Sequence, residues 1–340
     1  MMRSLYSGIS GLRNHQTRMD VIGNNIANVN TAGFKASRVV FQDIFSQTVS
    51  SGMSNTGVQG GTNPVQIGLG IRLSSIDVLH TRSAFSRTDN PTDLMINGDG
   101  FFILGSENED GTGYDQLFTR AGNFAIDDEG FLVSSHGLFV LGYSYPIIWG
   151  EIEPASADWN PGSAGATPPI TNPSDPGYVA PVGTPPVMGF IEDTTGERTF
   201  GRIFVGGFKN SAADGQPPVY DIPERLPNFA VAEDGTISVL ANNRQLNIGQ
   251  LQIAMFSNPS GLQKAGNSLF IETAASGEMV RTNPLEDGAG RIDAGGLEMS
   301  NVDLSSEFTD MIVTQRGFQA NSRIITVSDT MLEELVNLKR

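Results

Sequence analysis

The stretch NNIANVNTAGFK, residues 24–35, places four asparagines within its first seven residues, directly after an apolar helical pattern. Counting back from it in sevens, Leu5, Leu12, Met19 and Ile26 form one column, and Met2, Ile9, Gln16 and Gly23 form a second that is apolar only at its start. That is the a/d signature of a helix with a narrow seam. The first column ends at Ile26, so Asn28 and Asn30 fall where the helix must stop. Asparagine suits the task because its short side chain bonds nearby backbone groups and tolerates left-handed conformations, and Gly33 permits positive φ. Asn24 and Asn25 lie inside the last turns, where an amide is useful only if it bridges to a neighbouring segment. The motif Asn24, Asn25, Asn28, Asn30, Gly33 and Phe34 is therefore read as a helix exit whose side chains have partners.

The other end of the chain repeats the pattern. Leu304, Met311, Phe318, Ile325 and Leu332 stand at intervals of seven, and Phe308 and Val336 bound a second column interrupted by Gln315, Ser322 and Asp329. Ser300 and Asp303 have the S-x-x-D spacing of a capping box ahead of this helix. Each seam is too thin to bury its helix against a globular body, and the partner it suits is another helix. The two ends also differ in charge: residues 1–40 hold five basic residues against one acid, and residues 297–340 hold seven acids against four bases. The expected arrangement is a coiled coil of the two termini. Two ordinary surface helices packed on a β core would give much the same periodicity.

Between the ends the period changes to two, in FFILG (101–105), GLFVLGYSY (137–145) and GQLQIAMF (249–256), with forty glycines in the chain supplying turns. NFAIDDEGFL (123–132) and NFAVAEDGTI (228–237) echo each other, and each reads as a hairpin with an acidic-glycine turn. They flank residues 146–228, which hold fourteen of the eighteen prolines and both tryptophans, Trp149 and Trp159. The predicted fold is a mainly β multidomain protein with terminal α-helices pairing as a coiled coil, and with a β core domain carrying an inserted outer β module. The expected boundaries are 1–30 with 297–340 for the helical domain, 31–70 for a connecting segment, 71–145 with 229–296 for the core β domain, and 146–228 for the insert. RTFGRIFVGGF (198–208) is expected to give the insert some core.

Composition narrows the chemistry. The net charge of −16 argues against a nucleic-acid partner, because phosphate binding needs clustered Lys and Arg. Cysteine is absent, which excludes disulfides, a thiol nucleophile and thiolate metal ligation. The segment between Arg3 and Arg13 holds three serines and two glycines, so it is not the apolar core of a cleavable signal. No apolar run approaches the ~18 residues of a membrane span. His15, His80 and His136 have no second metal-type ligand at helical or hairpin spacing, and no metalloprotease, nucleophile-elbow or P-loop motif is present. The loop SENEDGTGYD (106–115) offers Glu107, Glu109, Asp110 and Asp115 to a calcium ion but lacks the ligand order of an EF-hand, and a solvated hairpin tip is the preferred reading. Asp127 and Asp128 sit on a turn. Neither an enzyme nor a cofactor is expected.

MDVIGNNIANVNTAGFKASR (19–38) resembles the amino-terminal signature of the bacterial flagellar rod and hook family, and residues 300–338 resemble that family's terminal helix along their length. GLGIRLSSI (68–76), INGDGFFIL (96–104), FTRAGNF (118–124) and NPSGLQKAGNSLF (258–270) resemble its core β domain, in the same order. The resemblance implies a structural subunit that polymerises with itself into a tube, with the terminal helices as an inner layer around an export channel. Leu5, Ile9, Leu12, Met19, Ile26, Leu304, Phe308, Met311, Phe318, Ile325 and Leu332 are then the expected assembly interface. It implies the rod, the hook cap and the hook–filament junction proteins as partners, and passage through the flagellar export apparatus to the cell exterior without a cleaved signal. Within the family, the length of 146–228 points to the hook, a curved universal joint, with the distal rod as the alternative. An extracellular carbohydrate- or peptidoglycan-binding protein using Trp149 and Trp159 is the reading from a different class, and it leaves both terminal seams unexplained.

Overall fold

The computed structural model describes residues 2–54, 60–107, 114–144, 147–153, 187–192, 199–209, 222–225, 229–241 and 244–338. Two compact units divide the chain, one made of residues 1–84 and 299–340 and the other of residues 85–298.

The first unit holds the two helices, α1 (Met2–Ala27) and α2 (Leu304–Asn337), and four strands, β1 (Ser37–Asp43), β2 (Ser46–Ser50), β3 (Val65–Gly68) and β4 (Ile71–Val78). β1 and β4 pair antiparallel from Ser37↔Val78 to Asp43↔Ile71, and both pack on α1. Residues 31–70, expected as a connection, thus contribute three strands. The unit runs to Ala84, beyond the expected boundary at 71, because β4 is the partner of β1.

β2 and β3 form a separate two-stranded ribbon with Gln47 opposite Ile67 and Phe45 O accepting from Leu69 N at 3.1 Å. Opposite residues share a face, so Phe45 and Ile67 lie on one side while Ser46, Thr48, Gln66 and Gly68 lie on the other. Phe45, Val49, Met53, Val65 and Ile67 are all exposed. A lone two-stranded ribbon is marginal in water, and this one shows its apolar side chains to solvent.

The second unit is built on a sheet of thirteen described strands. Phe101–Glu107 lies at its centre, between Phe139–Ser144 and Tyr114–Thr119, and Phe101, Phe102, Ile103 and Leu104 are all buried. Such a run, apolar on consecutive positions, is a strand covered on both faces. The echoing segments form hairpins as expected, Phe124–Ile126 with Leu132–Ser134 and Phe229–Val231 with Thr236–Ala241. Each turn places its glycine at positive φ, Gly130 at 87° and Gly235 at 76°.

RTFGRIFVGGF does not give an insert its core. Thr199–Arg202 pairs with Phe139–Ser144, and Ile203 and Val205 are buried in the cluster that also holds Phe102, Leu104 and Val140. The reason is burial: the aliphatic pair gains more inside the main core than a short proline-rich module provides. The rest of 146–228 is described only as two local pairings, Ile147–Glu153 with Val187–Glu192 and Gly206–Lys209 with Ile222–Arg225. Trp159 and Glu109 and Asp110 of the acidic loop lie outside the described residues.

Candidate assembly interface

α1 and α2 run antiparallel, as Gly8 beside Ile325, Gly11 beside Asn321, His15 beside Gly317 and Arg18 beside Asp310 show. Burial on α1 is not confined to the column of sevens. Gly8, Gly11, Asn14, Ile22 and Asn25 are the buried residues of that helix, whereas Leu5, Leu12, Met19 and Ile26 are half-buried and Ile9 is exposed. On α2 the buried positions are Thr314 and Ser328, flanked by half-buried Met311, Phe318, Ile325 and Leu332. Leu304 and Phe308 are exposed. A hydrophobic count gives no sign of these buried positions, because glycine and small polar residues carry no hydrophobic signal. They bring the helix axes together by presenting little side chain.

Close approach fixes which substitutions the pair accepts. A Cβ on Gly11 would lie 2.5 Å from Asn321 Nδ2, and one on Gly317 would lie 2.8 Å from His15 Nε2. His15 is hemmed by the Phe41 ring at 6.3 Å, edge to face. Burial, and then the Arg18 charge, hold the His15 imidazole below its ordinary pKa. Gly317→Ala is expected to destabilise the helix pair by about 1–2 kcal/mol. Overpacking of about 1–3 kcal/mol outweighs the roughly 1 kcal/mol that alanine gains over glycine in a helix. Thermal melting of the helical signal checks this, and a gain in stability would mean the imidazole swings away freely.

The opening motif has a structural answer. Asn25 Nδ2 donates to Ser37 O at 2.9 Å and to Glu307 Oε1 at 3.0 Å, while its Oδ1 accepts from Ser37 N at 3.0 Å. One amide therefore joins α1, β1 and α2. Burial pushes the Glu307 carboxyl up, Asp310 and Asp303 add to this, and Asn25 and Arg18 oppose it. Asn28 closes the helix locally, with Nδ2 donating to Asn24 O at 2.9 Å and Oδ1 accepting from Thr31 Oγ1 at 3.1 Å. Gly33 has φ 69°, Phe34 is half-buried, and Asn24 and Asn30 are exposed.

Three polar residues that sequence reasoning passed over complete the frame. Asn14 Nδ2 donates to Ile71 O at 2.8 Å. Lys35, buried, donates from Nζ to Thr81 O at 2.8 Å. Asn301 accepts from Ala36 N at 2.7 Å and donates to Leu79 O at 2.7 Å, so it holds both chain ends to one strand pair. Their only signal is an amide or amine set in otherwise apolar or turn-forming sequence. The helix cap also differs from expectation: Asp303, not Ser300, is the N-cap of α2, accepting from Ser305 N at 2.9 Å. Ser300 is instead engaged through its carbonyl, which accepts from Ser83 Oγ at 2.7 Å.

What the pair leaves uncovered is as informative as what it buries. Ile324, Val327, Met331 and Leu335 are exposed at i, i+3, i+7 and i+11, and Leu304, Phe308 and Ile312 at i, i+4 and i+8. Each set is one stripe of a 3.6-residue helix. Tyr6 and Ile9 of α1 are exposed too. Contiguous apolar surface of this kind marks a contact site. The ion pair Arg18–Asp310, 3.1 Å, is partly exposed and adds only about 0–1 kcal/mol. Among the described residues no group of three or more His, Asp or Glu side chains is placed to hold a metal ion, and no helix is long and apolar enough to cross a membrane.

Comparison with known proteins bears on this surface. Residues 5–35 match the family described as Flagella basal body rod protein, residues 95–175 the Flagellar hook protein FlgE/F/G D1 domain, and residues 293–338 the Flagellar basal body rod FlgEFG protein C-terminal. The chain is 40% identical over 342 residues to the flagellar basal-body rod protein FlgG of Bacillus subtilis (strain 168), covering 100% of both. It is 34% identical over 449 residues to the flagellar hook protein FlgE of Borreliella burgdorferi, again covering 100% of both. The FlgG of Caulobacter vibrioides is 30% identical over 343 residues, covering 99% of this chain and 100% of the relative.

Proposed function

Because this chain belongs to the family of structural flagellar hook and rod proteins, we propose that it is the self-assembling subunit of the flagellar hook. The hook is a curved tube linking rod to filament as a universal joint. The observation that carries the reading is the uncovered apolar surface of α2, running from Leu304 to Leu335 on a helix already paired with α1. Neighbouring copies cover it by extending the helix pair into a coiled-coil layer that lines the channel. In that layer Leu5, Leu12, Met19, Ile26, Met311, Phe318, Ile325 and Leu332 hold the pair together, while Ile9, Leu304 and Phe308 meet other subunits. The β2–β3 ribbon offers a second uncovered apolar face.

Rod, hook cap and hook–filament junction proteins are the partners at the ends of such a tube. Delivery to the exterior through the flagellar export apparatus belongs to the same reading. The length of 146–228 does not separate hook from rod, since a rod relative aligns with the whole chain over 342 positions and a hook relative over 449. A distal rod subunit is the second reading, supported by the 40% identity to a rod protein. Electron microscopy of concentrated purified protein is expected to show hollow tubes, curved for a hook and straight for a rod. Only dispersed particles at every concentration, or release of fragments from peptidoglycan, would overturn the proposal.

A further inference from the structure

The unit formed by residues 85–298 carries an apolar knob at one end of a strand and an apolar cleft at the other. The strand is Arg291–Ala294, paired with Leu94–Asn97. Ahead of it, the turn through residues 283–290 holds Leu285 at φ 69° with its side chain 58% exposed. A bulky residue in the left-handed region is strained, and it persists only where its surroundings impose it. Here they do. Gln252 Nε2 donates to Asn283 Oδ1 at 2.6 Å, Asn283 Nδ2 donates to Glu286 Oε2 at 2.7 Å, and Gly290 N donates to Asp99 O at 2.9 Å. Leu285 is thus held outward on a braced loop.

Past the other end of the strand lies an open cleft of about 430 Å³, lined by Phe85, Pro91, Phe229, Val231 and Ala294. Phe85 lies across Gly296, where an added Cβ would come within 2.4 Å of its ring, so the bare glycine sets the cleft's wall. Arg87 stands at the lip, ion-paired with Asp89 and largely exposed. The four residues between knob and cleft span roughly 13 Å at about 3.3 Å each. The two features therefore belong to one rigid unit and do not meet within it.

Knob and cleft on different parts of one surface form a heterologous contact, which propagates from copy to copy instead of closing on itself. Glu286 and Asp287 flank Leu285, and at the cleft's lip Arg87 is already paired with Asp89, so the contact rests on apolar fit with polar groups at its rim. We propose that Leu285 of one copy seats in the Phe85–Phe229 cleft of a second copy, so that these units stack head to tail along the direction of the Arg291–Ala294 strand. This contact rests on the polymer proposed above and supplies a bond outside the helical layer.

The absence of cysteine makes the contact testable by crosslinking. A Leu285→Cys, Ala294→Cys double variant of the full chain, assembled and then treated with a mild oxidant, is expected to give a ladder of covalent oligomers on a non-reducing gel. Each single variant should give none. Tubes without a ladder would overturn this contact and leave the polymer standing, as would dimers from Leu285→Cys alone or a disulfide within one chain. No tubes from the unmodified chain would remove both. As a second measurement, Leu285→Glu should leave the melting of the β unit unchanged and raise the protein concentration needed for assembly at least tenfold; an unchanged threshold counts against the contact.

Discussion

A Val327→Asp variant is expected to stay folded as a monomer and to form no tubes at concentrations where the unmodified chain assembles. Val327 is exposed midway along the stripe Ile324, Val327, Met331 and Leu335, so an aspartate there costs the isolated molecule little. Packed against another copy, the carboxylate is taken out of water without a partner. A penalty of about 3 kcal/mol for such a group corresponds to a roughly hundredfold rise in the concentration needed for assembly, at 1.4 kcal/mol per tenfold. Phe318→Asp is the informative contrast, because Phe318 is half-buried in the α1–α2 pair and its loss loosens the pair itself. Sedimentation and microscopy read assembly, and circular dichroism reads the fold. Normal tubes from Val327→Asp would place that stripe in solvent within the polymer and remove the main support for the inner layer.

The largest stability effect is expected at Glu298. Its carboxylate and the Arg120 guanidinium are 0% and 3% exposed and lie 3.5 Å apart. Arg120 also donates to Ile96 O at 3.3 Å and Gly98 O at 2.8 Å, and its guanidinium lies 5.3 Å from the Phe101 ring centre. The pair ties the last strand of the unit, Gly296–Glu298, to its central layer. Glu298→Ala takes a counter-charge at 3.5 Å away from a buried cation, a change that costs about 3–5 kcal/mol. For a unit of this size that lowers the melting midpoint by roughly 6–20 °C, at about 2–4 °C per kcal/mol. A double replacement, Arg120→Met with Glu298→Leu, is expected to recover much of the loss, since the desolvation of both charges disappears together. Calorimetry decides: a midpoint unmoved by Glu298→Ala would mean that water reaches Arg120.

The strands and helices were legible where side chains are large and apolar. FFILG announces a strand covered on both faces, the two acidic-glycine segments announce hairpins, and the sevens from Leu304 to Leu332 mark α2 over nearly its full length. The inner face of α1 was not legible, because Gly8, Gly11, Asn14 and Asn25 fit by being small or by satisfying backbone groups, and a hydrophobic count ignores both. The strands Ser46–Ser50 and Val65–Gly68 read as connection in the sequence because both are exposed, which removes the alternation that burial imposes. Ile203 and Val205 show the converse: a strong local apolar run gives no indication of which core will receive it. The column of α2 at intervals of seven is half-buried, as its spacing suggests, whereas Asn301 and Lys35 become intelligible only once both chain ends are seen at one strand pair.

The unit that carries the helices draws its halves from residues 1–84 and 299–340, and the Asn25–Glu307 bond spans 282 residues of sequence. Contacts between such distant positions form slowly, because the intervening chain must be gathered first. Synthesis supplies α2 after α1 and all that lies between them, so α1 waits unpaired until α2 has emerged. A unit built this way stays open for as long as its second half is held back, and anything that grips α2 also governs when α1 can settle.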